Sequence, residues 1–81
     1  IFSVFHDDRD RLHAHMRQNG IQVGMHYPVP VHLQGAYLGL GYQLGDFPVS
    51  ELISRTQLSM PIYPELDDSE VIRVADVLKA F

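Results

Sequence analysis

Three observations predict a two-layer α+β domain, with a small, mostly antiparallel sheet and helices packed chiefly on one face. The chain has 81 residues, room for one small domain covering 1–81. Strand-like and helix-like patterns alternate along it. The strand-like runs are few, short and bounded by prolines, which favours antiparallel pairing over the long crossovers of a parallel sheet.

The elements follow in order. Ile1-Phe2-Ser3-Val4-Phe5 is aromatic and β-branched and reads as a strand. His6-Asp7-Asp8 starts a helix, with Asp7 or Asp8 expected to cap it by accepting a backbone N–H. The helix should run to about Asn19 and stop at Gly20, with Leu12 and Met16 on its buried face and Ile21 closing over Met16. Gln22 to Tyr27 reads as a second strand, ended by Pro28 and Pro30. Between Val31 and Gly45 three glycines interrupt the apolar residues, and a short helix is expected from about Leu33 to Leu40. Asp46-Phe47-Pro48 opens another helix, with Asp46 as cap, Pro48 in the first turn and Val49, Leu52, Ile53 and Thr56 as its one apolar stripe. Leu58 to Ile62, broken by Pro61, reads as an edge strand or extended connector. Asp67 and Glu70 resemble a capping box. The terminal helix then carries a stripe of Val71, Ala75 and Leu78, with Val74 beside it.

Composition narrows the function classes. Hydrophobic residues make up 46% and charged residues 20%, as in a folded globular chain. The absence of cysteine excludes a disulfide framework, a thiolate metal site and a cysteine nucleophile. The net charge of −4 and the lack of any Lys/Arg cluster argue against nucleic acid as a partner. No apolar run approaches membrane-spanning length, so no membrane partner is expected. The chain opens at Ile1 inside a strand-like run, and a boundary within a longer protein is expected there.

Five segments carry a resemblance to a known family. His26-Tyr27-Pro28-Val29-Pro30-Val31-His32-Leu33-Gln34 matches an H-Y-P-x-P-x-H-x-Q stretch. Arg9-Asp10-Arg11-Leu12 with Gly20-Ile21 lies upstream. Phe47-Pro48-Val49-Ser50-Glu51 and Leu58-Ser59-Met60-Pro61-Ile62-Tyr63-Pro64 lie downstream, with Met60 where Leu is usual, and the helix from Asp67 ends the series. In this order they resemble the C-terminal small domain of DegT/DnrJ/StrS-type sugar aminotransferases, and the resemblance covers nearly the whole chain.

That resemblance implies the C-terminal domain of the aspartate-aminotransferase fold, in a cytoplasmic, homodimeric enzyme. It implies pyridoxal phosphate as cofactor of the full-length enzyme, amino transfer from glutamate to a keto sugar, and a nucleotide-sugar substrate. The family's cofactor lysine belongs to an N-terminal large domain, which would be this chain's partner. The one lysine here, Lys79, sits in the last turn of a helix where its charge suits the helix dipole. No cofactor is therefore expected on this chain alone, and no catalytic residue is assigned.

The candidate substrate-binding residues are His26, Tyr27 and His32. The family's matching His-Tyr pair lies by the substrate diphosphate, and an imidazole N–H and a phenol O–H both donate to phosphate oxygens. Against this stand blander roles, Tyr27 packing over the sheet edge and His26 simply exposed. His32 follows a stiff Pro-Val segment, and helix capping competes with substrate contact as its role. Gln34 is expected as a cap or loop hydrogen-bonder. His13 and His15, two apart on a helix, point about 200° apart and suit no common metal ion. Tyr37, Leu38, Leu40, Tyr42 and Phe47 form an apolar cluster, either internal packing or a surface that docks a missing domain. The competing class is a free-standing α+β interaction module without catalytic activity.

Overall fold

A computed structural model describes residues 1–81. Strand β1 is Phe2–Phe5, helix α1 Arg9–Gln18, helix α2 Pro48–Thr56, strand β2 Gln57–Met60 and helix α3 Asp68–Lys79. Two 3-10 turns, Val31–Leu33 and Gly35–Leu40, lie between α1 and α2. β1 and β2 pair antiparallel, with Phe2 opposite Met60 and Phe5 opposite Gln57. Leu58 and Met60 project into a core completed by Leu12, Met16, Ile21 and Val77. The α+β class and the antiparallel pairing are as the sequence predicts.

α1 stops as its sequence dictates. Gly20 adopts φ +76°, the left-handed conformation that costs glycine little. The Gly20 N–H reaches the Arg17 carbonyl at 3.0 Å, and the Ile21 N–H reaches that of Met16 at 3.0 Å. Ile21 and Met16 are both buried, so the hydrogen-bonded stop is also an apolar contact.

Several expectations need correction. The 22–27 segment is no strand. Gly24 exchanges both backbone hydrogen bonds with Ser59, at 3.2 and 2.7 Å, and the ladder ends there. The next outward N–H, that of His26, donates instead to the Gln57 side chain at 2.7 Å. β2 is an edge of the two-stranded sheet, as expected, but the single bridge to Gly24 covers its other side and all four of its residues are buried. The expected helix over 33–40 divides into the two 3-10 turns because Gln34 is extended, with its side chain donating to the Val29 carbonyl at 3.2 Å.

The caps also differ. Asp8 makes no cap with its side chain, which pairs with Arg11 at 3.1 Å. Asp46 accepts from the Gln43 N–H at 2.7 Å, and Glu51 serves the start of α2 in its place. Asp67 does cap α3, accepting from the Glu70 N–H at 2.9 Å, but Glu70 does not reciprocate. Its carboxylate accepts from the Tyr63 hydroxyl at 2.8 Å. α3 is rotated from the expected stripe: Val77 is buried, with Val74 and Leu78 packed on the core, while Val71 is 49% exposed.

The largest departure is α2, where three of the four residues of the apolar stripe face out and only Thr56 is buried. Val49, Leu52 and Ile53 are exposed, whereas Glu51, Ser54 and Thr56 are buried. The inward face is bound by polar contacts. Arg9, itself buried, donates to the Ser54 and Gln57 carbonyls at 2.7 and 3.2 Å, tying the end of α2 to α1. Only 13 of the 81 residues are buried in all. The radius of gyration, 15.1 Å, exceeds the about 12 Å typical of a globular domain this long.

Candidate functional site

The 26–32 segment, the 37–47 segment and α2 enclose an open groove of about 450 Å³. His26, Tyr27, His32, Tyr37, Tyr42 and Phe47 all line it. The three sequence-predicted site residues therefore share one surface, although their surroundings differ.

His26 is exposed but held from behind. Its backbone N–H donates to Gln57 Oε1, and its ring Nδ1 lies 2.7 Å from the Ser59 hydroxyl. Gln57 Nε2 in turn donates to Ser59 Oγ at 2.7 Å and to Ser3 Oγ at 2.9 Å. These groups sit on the sheet face opposite Leu58 and Met60, because side chains alternate along β2. Gln57 and Ser59, the buried members of this network, are both hydrogen-bonded, which fixes them firmly behind His26. Tyr27 is 63% exposed, and its ring meets that of His26 edge-on at 5.2 Å.

His32 is different. It lies in the first 3-10 turn, 7% exposed, with Nε2 donating to Glu51 Oε2 at 3.0 Å. The Phe47 ring packs edge-on against it at 4.8 Å, and Tyr42 meets Phe47 at 5.4 Å. Glu51 also accepts the Gly45 N–H on both oxygens, at 2.8 and 2.9 Å, and the Phe47 N–H at 3.2 Å. Burial alone would raise the pKa of this carboxyl. The Gly45 and Phe47 N–H groups and the His32 side chain outweigh that and hold it below the usual glutamate range.

The cluster of Tyr37, Leu38, Leu40, Tyr42 and Phe47 is exposed, not packed inside. His15 donates from Nε2 to the Val77 carbonyl at 2.8 Å, a link between α1 and α3. Glu51, Gln57 and Ser59 were not singled out by sequence. Gln57 and Ser59 alternate with Leu58 and Met60, the signature of a strand with one polar face, and Pro61 obscured it. Lys79 is exposed in the last turn of α3 and does not line the groove. An exposed lysine outside the groove lacks the enclosing pocket that a Schiff-base lysine needs.

A family model for the DegT/DnrJ/EryC1/StrS aminotransferases matches residues 2–79. The chain belongs to this family. As a member of the DegT/DnrJ/EryC1/StrS aminotransferases, it is 41% identical to the erythromycin biosynthesis sensory transduction protein EryC1 of Saccharopolyspora erythraea, over 99% of the chain and 22% of that protein. It is 40% identical to dTDP-3-amino-3,4,6-trideoxy-alpha-D-glucose transaminase of Streptomyces venezuelae, over 98% of the chain and 21% of the transaminase. The crystal structure of S. venezuelae DesV in complex with a ketimine intermediate superposes with a TM-score of 0.94 at 40% identity, covering 98% of this chain and 21% of DesV. A family aminotransferase from Brucella abortus gives a TM-score of 0.85 at 33% identity, again over 98% and 21%. The chain thus spans about a fifth of the length of the relatives it matches. Aminotransferases of this family depend on pyridoxal phosphate in general. No helix here is long and apolar enough to cross a membrane.

Proposed function

We propose that this chain is the C-terminal small domain of a pyridoxal-phosphate-dependent, homodimeric aminotransferase that moves an amino group from glutamate to a keto sugar carried on a nucleotide diphosphate. The observation that carries the reading is the match along almost the whole chain to relatives about five times its length. Relatives named as transaminases of dTDP-linked sugars, from Streptomyces venezuelae and Aneurinibacillus thermoaerophilus, support the substrate class. The cofactor and its lysine belong to an N-terminal large domain.

The surface supports that partner. The accessible area is 5834 Å², against about 4,900 Å² typical of a monomer of this mass. The excess is close to the roughly 800 Å² that each side of a standard interface buries. It coincides with exposed Leu38, Leu40, Leu44, Val49 and Leu52, which the large domain covers.

Within the groove, His26 and Tyr27 bind the substrate diphosphate, and His32 contacts the substrate from the groove wall. With the Ser59 hydroxyl accepting from Gln57, its own proton is free to go to His26 Nδ1. That leaves the outward Nε2 carrying the proton, ready to donate to a phosphate oxygen. Tyr27, largely exposed beside it, offers its hydroxyl as a second donor. Neither residue moves a proton in the reaction. The test is purification of the full-length protein and assay of amino transfer from glutamate to dTDP- and UDP-linked keto sugars. Turnover with one of them is expected, and none with any nucleotide-linked keto sugar overturns the reading.

A further inference from the structure

We propose that Glu51 is a positioning residue that fixes His32 in the tautomer with an unprotonated Nδ1, and that this nitrogen accepts a hydrogen bond from a donor group of the bound ligand. The second half rests on reading the groove as the nucleotide-sugar site.

The geometry runs from the carboxylate outward. Glu51 is 6% exposed and gathers three neighbours, the Gly45 N–H, the Phe47 N–H and His32 Nε2. An ionised carboxylate only accepts hydrogen bonds, so the proton of a neutral His32 must sit on Nε2. The lone pair then resides on Nδ1, which has no hydrogen-bond partner within the chain. Every buried side-chain nitrogen and oxygen in the molecule does have a partner, so Nδ1 retains contact with solvent. His32 is itself one of the residues that line the groove. The Phe47 ring, edge-on at 4.8 Å, opposes rotation that would swing Nδ1 away. Glu51 holds Phe47 by its N–H at 3.2 Å, so one carboxylate fixes both the imidazole and the ring that braces it.

The ligand chemistry follows. Most of the groove lining is apolar or aromatic, and a ligand group seated against Nδ1 is removed from water. A group that donates there is satisfied, whereas one that cannot donate leaves Nδ1 without a partner, which is costly in a desolvated site. The site therefore selects an N–H or an O–H. A pyrimidine ring N–H and a sugar hydroxyl of the nucleoside both meet that requirement.

Two measurements on the full-length protein test this. In the ligand-free protein carrying ¹⁵N-labelled histidine, long-range ¹H–¹⁵N spectra at neutral pH should show His32 Nε2 protonated and Nδ1 bare. Glu51→Gln should lose that preference, because its amide can both donate and accept. A proton on Nδ1, or on both nitrogens, in the unaltered protein overturns the proposal. Thymidine diphosphate binding is then compared by calorimetry between the unaltered protein and His32→Gln. The amide nitrogen of the new side chain can still donate to Glu51, but nothing replaces the Nδ1 acceptor. Affinity should fall roughly ten-fold, and His32→Asn, whose oxygen stands near the Nδ1 position, should recover part of it. Equal affinity in His32→Gln and the unaltered protein overturns the ligand contact. An N3-methylated thymidine diphosphate separates the two donors. Weaker binding to the unaltered protein assigns the base N–H, and unchanged binding with the His32→Gln deficit intact assigns a hydroxyl. If thymidine and uridine diphosphates both fail to bind the unaltered protein, the nucleotide-sugar reading fails and the ligand contact with it, while the spectra judge the role of Glu51 separately.

Discussion

Glu51 and Gln57 hold the candidate site at the scale of single residues, one beneath His32 and the other beneath His26. Sequence made the groove-lining residues of the motif legible and these supports illegible. His26, Tyr27 and His32 stand in a spaced motif that draws the eye, while a buried Glu one turn into a helix reads as ordinary surface charge. What distinguishes Glu51 is the convergence of the Gly45 and Phe47 N–H groups on its carboxylate, and convergence exists only after folding. The depressed pKa of Glu51 has a pH consequence of definite sign. The unfolded chain binds this proton more readily than the folded one, so the stabilisation is complete above the ordinary glutamate range. It is lost as pH falls through the depressed folded value. Asp67, lowered by the Ser69 hydroxyl and then by the Glu70 N–H, contributes with the same sign. Urea unfolding between neutral and acid pH should show stability falling on acidification, with a shallower fall in Glu51→Gln. An unchanged slope in that variant would remove Glu51 from the account.

At the scale of elements, the stop of α1 and the inversion of α2 mark what pattern reading can and cannot reach. The stop is local chemistry. A glycine after the last turn and an apolar residue after it specify the observed hydrogen bonds with no help from elsewhere. No atom lies within 4 Å of where a Cβ would stand on Gly20, so Gly20→Ala should destabilise by about 1–2 kcal/mol, from the left-handed backbone alone. Chemical denaturation measures it, and Gly20→Asn should cost less. α2 presents the opposite case. Its periodicity correctly marked a helix and an apolar stripe, but no local rule says whether a stripe faces this chain's core or another body. Leu52 is 48% exposed here. Leu52→Ala in the 81-residue chain should change stability by no more than about 0.5 kcal/mol. In the full-length protein, with the large domain covering α2, the same change should cost about 2–5 kcal/mol. Similar values in both contexts would show that the stripe stays uncovered. The failed second strand belongs to the same scale, since Gln57 outcompetes the strand ladder for the His26 N–H.

For the whole molecule, the α+β class and antiparallel pairing were legible in the alternation of short strands and helices. The sparse burial was not, because hydrophobic content says nothing about where the apolar surface goes. An 81-residue chain that buries 13 residues and keeps twenty large hydrophobic side chains exposed presents the kind of apolar surface that a neighbouring domain covers. On the proposed function, this domain completes a nucleotide-sugar aminotransferase by supplying the diphosphate contacts from His26 and Tyr27. The most direct measurement follows the two half-reactions separately in full-length His26→Ala and Tyr27→Phe proteins. Losing one donor to a charged phosphate costs about 1.5–3 kcal/mol, or roughly ten- to a hundred-fold in affinity. The loss should appear as a raised KM for the nucleotide sugar, with kcat little changed. The glutamate half-reaction, which involves no diphosphate, should proceed at its normal rate. Equal damage to both half-reactions would contradict the assignment and reduce His26 and Tyr27 to structural residues.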